Sequence, residues 1–173
     1  MITARRTRIL TGLLALLVVA VDQASKVLLV SRFSLGERMP IVTGFFDLTY
    51  LLNPGGVWGL GRDLPELPRT ILFIALPVAI TLFAAWYAWG LAASDRLRHA
   101  AIGMVVGGAA GNLVDRLRLD PPAVIDFLLF RVRDLYWPAF NIADSAICIG
   151  VAILLVSSFF GDDEDAGVAV NAG

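Results

Sequence analysis

Four long apolar runs, separated by two mixed segments and one short basic turn, organise this chain. They extend from about Ile9 to Val30, Thr70 to Ala93, Ala100 to Asp115 and Phe140 to Phe160. Periodicity says little inside such runs, so length decides, and a membrane-crossing helix needs about 20 apolar residues. The pattern predicts a membrane all-α fold, a bundle of four transmembrane helices over about residues 9–30, 70–93, 100–116 and 139–160. The third is short and lined by Gly103, Gly107, Gly108 and Gly111, spacings that let helices approach closely.

Residues 31–69 read differently. Pro40-Ile41-Val42 and the run from Gly44 to Leu52 are rich in β-formers, Asn53-Pro54-Gly55-Gly56 is a turn signal, and Trp58 suits a headgroup belt. A small β-sheet cradle on the non-cytoplasmic membrane surface is expected. In 117–138, Pro121-Pro122 stops a helix, an apolar run from Val124 to Phe130 carries Asp126 in its middle, and Tyr136-Trp137-Pro138 leads into the last helix. One domain is expected over residues 1–161, followed by an acidic, disordered cytoplasmic tail over 162–173.

Composition narrows the class. The 173 residues are 58% hydrophobic and only 17% charged, with a net charge of -1, which gives no argument for nucleic-acid binding. Arg5, Arg6 and Arg8 before the first run and Arg96 and Arg98 between the second and third place both termini in the cytoplasm. The basic start imitates a signal peptide, but no small-x-small cleavage site follows, and an uncleaved first helix is expected. The single Cys148 excludes an internal disulfide and reads as a small core residue. The single His99 cannot build a zinc protease site or a His-based triad. No metal or cofactor is expected, and any chemistry falls to carboxylates.

Acids sit where membrane helices normally carry none, and such residues cost at least a few kcal/mol. With this topology, Asp22, Asp115 and Asp144 reach one depth near the same surface. Asp22 and Lys26, the only lysine, share a helix face at i, i+4. Asn112 and Asp115 lie at i, i+3, with Arg116 as the obvious partner of Asp115. Asn141 and Asp144 repeat that spacing where the last helix opens. An N-cap explains part of this, but a cap needs only one such residue. Asp126 is either desolvated, which raises a carboxyl pKa, or set on an edge strand facing water. Two close carboxylates can share a proton, one activating water and the other polarising a carbonyl, as in aspartic proteases. A proton pathway would spread its acids through the bilayer, and a scaffold would not need two Asn-x-x-Asp stretches.

At this point the chain resembles bacterial lipoprotein signal peptidase (signal peptidase II). The matching stretches are Asp22-Gln23-Ala24-Ser25-Lys26, residues 53–59 from Asn53, residues 107–116 ending in Asp115-Arg116, Val124-Ile125-Asp126-Phe127, and Phe140-Asn141-Ile142-Ala143-Asp144-Ser145. They come in the family's order over residues 22–145. Gly56 and Val57 depart from the two alanines usual in the family.

The resemblance implies an aspartic endopeptidase of the bacterial inner membrane that cuts before a diacylglyceryl-modified cysteine in prolipoproteins. It also implies contact with membrane lipid, inhibition by globomycin-type peptides and no metal. A monomer is expected. The carried-over catalytic pair is Asp126 and Asp144, with Asp115 as the rival first acid. Asp126 is preferred because it has no neighbouring cation in sequence. Asn53, Asn112, Arg116 and Asn141 would support the pair or hold substrate, and Asp22 and Lys26 would brace the first helix.

Overall fold

In the computed structural model, which describes residues 2–56, 60–133 and 135–160, helical rods run beside one antiparallel sheet. The first is α1 (Ile2–Val30). The second joins α2 (Glu66–Thr70), a π-helical turn (Ile71–Ala75) and α3 (Leu76–Gly90). Pro77 has no N–H for the carbonyl four residues back, and the wide turn just before it accommodates that loss. The third, α4 (Arg96–Arg118), is capped by Asp95, whose side chain accepts from Arg98 N at 3.1 Å. The fourth is α5 (Ile142–Phe160). The rods lie where the apolar runs place them, with ends moved by up to seven residues.

Among the described residues, three helices are long and apolar enough to cross a membrane: Thr3–Val30, Glu66–Gly90 and Ile142–Phe159. Leu16, Trp86 and Phe159 on them expose 67, 70 and 80% of their surface, an arrangement suited to lipid and costly in water. α4 has 23 residues but is less apolar. It packs against α1, α3 and α5, and its buried positions are mostly glycine, small or polar residues.

The glycines of α4 work as contact surfaces. A Cβ on Gly107 would sit 2.6 Å from the Ala15 carbonyl oxygen, and one on Gly108 would sit 2.4 Å from that of Ala143. The first seats α1 and the second seats α5, on two sides of one helix. Gly150 returns the favour from α5, with a Cβ position 2.6 Å from Ala101 O.

The sheet has the order β1-β2-β3-β4, with β1 (Arg38–Val42), β2 (Phe46–Asn53), β3 (Val124–Val132) and β4 (Leu135–Tyr136), each antiparallel to its neighbour. Half of it therefore comes from the segment between α4 and α5, not from 31–69 alone. β3 is interior to the sheet, and Asp126 on it is 3% exposed, which overturns the water-facing edge strand. Leu29, Ile125 and Phe127 form the apolar core that joins the sheet to the helix ends.

Beneath that core lies a polar one. Lys26 is the largest fully buried side chain, and Asp22, Asp115 and Asn141 are buried completely as well. The three donors of the ammonium are all used: Asp22 at 2.8 Å, Asp115 at 2.8 Å and Asn112 Oδ1 at 3.2 Å. Asp22 Oδ1 accepts the Ala143 N–H of α5 at 3.0 Å, and Asp115 Oδ2 accepts the Ile125 N–H of β3 at 3.1 Å. Gln23, given no role from sequence, reaches Asp22, Asp115 and the Gly111 carbonyl at 3.0–3.1 Å. Asp115 has Lys26, and Arg118 at 3.7 Å, as ion partners; among the described residues no ion pair joins it to Arg116, contrary to expectation.

Two expectations follow. Lys26→Met strands two buried carboxylates and should cost about 3–5 kcal/mol, read as a large fall in melting temperature in detergent. Gly108→Ala should destabilise by about 1–3 kcal/mol, whereas Gly12→Ala, with nothing within 4 Å of its added Cβ, should be neutral or slightly stabilising in the same assay.

Candidate active site

Asn141 and Asp144 open α5 as a reciprocal capping box. Asn141 Oδ1 accepts the Asp144 N–H at 2.9 Å, and Asp144 Oδ2 accepts the Asn141 N–H at 3.1 Å. Both residues of the spacing are thus used by the cap, against the expectation that one suffices. The cap leaves Asp144 Oδ1 to accept from Asn112 Nδ2 at 2.8 Å. It leaves the Asn141 amide to donate to Asp126 Oδ1 at 2.8 Å, and to contact Asn112 Oδ1 at 3.1 Å and Ile125 O at 3.2 Å.

Asp126 enters from the sheet. On β3 it stands opposite Leu51 of β2, and Asn53 at the end of β2 donates to its Oδ2 at 3.0 Å. Asn53 is itself held in the turn, accepting from Gly55 N at 3.1 Å and donating to Gly56 O at 3.2 Å. Burial pushes the Asp126 carboxyl up to about 7, and the nearby charge of Asp144 pushes the same way. The amides of Asn53 and Asn141 and the charge of Lys26 pull less strongly downward. This carboxyl therefore holds its proton to higher pH than an ordinary aspartate.

Both carboxylates line one cavity of about 380 Å³, together with Asn53, Asn112, Arg116 and, from the approach to α5, Trp137 and Phe140. Arg116 reaches across it to donate to Gly55 O at 3.1 Å, tying α4 to the turn after β2. Cys148 is exposed and lines the same cavity, so it is not a core residue. Its i+4 spacing from Asp144 was the signal that could have found it. Asn53, Asn112, Arg116, Asp126, Asn141 and Asp144 are therefore brought together. Asp22, Lys26 and Asp115 lie behind them, in the ion cluster, and do not line the cavity. Trp58, expected in the headgroup belt, and the acidic tail over 162–173 lie outside the described residues.

Largely apolar walls, two carboxylates of which one has a raised pKa, and amides fixing both are what proton-relay hydrolysis requires. The family profile described as signal peptidase (SPase) II matches residues 14–160. A lipoprotein signal peptidase of Syntrophotalea carbinolica is 42% identical over 147 residues, 85% of this chain and 89% of the relative. One of Beijerinckia indica is 40% identical over 162 residues, 93% of each chain. Two solved structures described as bacterial membrane enzymes superpose with TM-scores of 0.75 and 0.74 at 26 and 27% identity, covering 86 and 88% of this chain and 87 and 93% of theirs. The chain belongs to the signal peptidase II family, membrane peptidases that remove signal peptides from prolipoproteins.

Proposed function

We propose that Asp126 and Asp144 are the catalytic pair of this peptidase. The observation that carries this is their separation from the other buried acids. Asp22 and Asp115 spend their oxygens on Lys26 and on backbone N–H groups, whereas Asp126 and Asp144 are held by neutral amides and line the cavity. Asp144, at the third position of a helix, accepts from two N–H groups and sits in the positive end of the helix dipole, which suits the ionised partner. Asp126, raised by burial, suits the protonated one. The ionised carboxylate takes a proton from water, the water oxygen adds to the scissile carbonyl, and the protonated carboxyl gives its proton to the carbonyl oxygen. Collapse of the tetrahedral species breaks the C–N bond, with a proton passed to the leaving amine. Asn53, Asn112 and Asn141 hold the two acids, and Arg116 positions the Gly55 turn against the substrate backbone.

The scissile bond lies before a diacylglyceryl-modified cysteine, whose acyl chains remain in lipid beside α5. α4 is the fourth span, shielded by its three neighbours, and both termini face the cytoplasm of the inner membrane. The sheet then forms a cradle on the non-cytoplasmic side, above the catalytic pair. The protein acts as a monomer, one domain over residues 1–161, with residues 162–173 as a cytoplasmic tail. Globomycin-type peptides would occupy the same cavity.

Asp126→Asn and Asp144→Asn should each lower kcat on a diacylglyceryl prolipoprotein by roughly 10²–10⁴-fold while remaining folded. Asp115→Asn should lose thermal stability yet keep turnover per folded molecule. Normal turnover in folded Asp144→Asn protein would sink the assignment. The pH profile gives a separate check. A carboxyl with a raised pKa keeps its proton below that value and loses it above, so kcat should fall as pH rises through about 7. A rate that climbs steadily into the alkaline range would contradict the shared proton.

A further inference from the structure

A second cavity lies at the opposite ends of the helices from the catalytic pair, between the start of α1 and the start of α4. It measures about 610 Å³. Arg6 and Arg96 stand at it, one from each helix. Their neighbours are committed: Arg8 donates to Trp89 O at 2.7 Å and lies over that ring, and Arg98 bonds Ser157 and pairs with Asp95. The side chains of Arg6 and Arg96 have neither an ion pair nor a hydrogen bond among the described residues.

The remaining walls mix polar and apolar groups, and His99 Nε2 is buried without a hydrogen-bond partner among the described residues. The Thr7 hydroxyl bonds the carbonyls of Thr3 and Ala93, both at 3.1 Å, and buried His99 is held through Nδ1 to Thr11 at 3.2 Å. The cavity therefore offers positive charge without an ion partner beside apolar surface. Arg6, Leu10 and Leu14 follow one another at i, i+4 and i+8, so a single face of α1 runs from a cation into apolar surface. Leu10 is 55% exposed. Cation above and exposed hydrocarbon below complement an amphiphile with an anionic head.

We propose that this cavity binds an anionic phospholipid, its phosphate between Arg6 and Arg96 and one acyl chain along Leu10 and Leu14. Charge complementarity selects the head, and the apolar row selects a lipid over a free anion. Basic pockets between membrane helices take phospholipid head groups in this manner. Such a lipid would link the first turns of α1 and α4, which no ion pair joins among the described residues.

The test is native mass spectrometry of the purified full chain, titrated with dioleoyl phosphatidylglycerol and, separately, dioleoyl phosphatidylcholine. The anionic lipid should bind about tenfold or more tightly, and Arg6→Gln and Arg96→Gln should each weaken it about fivefold. Arg5→Gln removes the same charge one residue away and should change binding by less than about twofold. Melting curves in phosphatidylcholine alone confirm folding of each variant, and Arg96→Gln carries the test if Arg6→Gln does not fold. Equal binding of the two lipids, or a loss in Arg5→Gln as large as in Arg6→Gln, would overturn the site in favour of diffuse attraction. Displacement of phosphatidylglycerol by millimolar inorganic phosphate would assign the arginines to a free anion and overturn the lipid.

Discussion

A single buried ammonium holds the molecule's parts in register. Lys26 has given up all contact with water, and its charge is tolerable only because two carboxylates and an amide oxygen meet its three donors. Asp22 spends its other oxygen on the Ala143 N–H of α5, and Asp115 accepts the Ile125 N–H of β3 on the same oxygen that meets Lys26. One residue of α1 thereby fixes where the strand bearing Asp126 begins and where the helix bearing Asp144 opens.

This division of labour explains how one small region can hold three buried acids and a half-buried fourth without incoherent charge. Two are paired with one cation and serve geometry. The other two are held by asparagine amides, which position a carboxylate without adding a compensating charge. Neutral positioning leaves burial free to raise the Asp126 pKa, and it leaves Asp144 as an acceptor at a helix start. Asn112 belongs to both sets, accepting from Lys26 and donating to Asp144, so the structural cluster and the cavity share a wall.

Much of this was legible in the chain. Apolar run lengths placed the rods, the glycines of α4 marked its contacts, and the motifs named the residues that meet around the cavity. Local reading failed where the partner came from elsewhere in the chain. Arg116 is next to Asp115 in sequence, but successive helical residues point apart, and the nearer of the two cations that pair with Asp115 belongs to α1. The apolar run around Asp126 did not reveal that its strand pairs with β2, because register is a tertiary property. Gln23 lies within a motif, yet its role depends on α4 standing beside it. Cys148 read as core because exposure to a cavity cannot be seen in composition.

The solitary lysine has one more consequence. With no other lysine in the chain and this one sealed at the junction of α1, α4, α5 and β3, the side-chain amine chemistry of the protein is silent in the folded state. Acylation of Nζ needs α1 to part from its neighbours. The rate of that reaction is therefore a clock for the opening of the whole helix–sheet junction, read at a single atom.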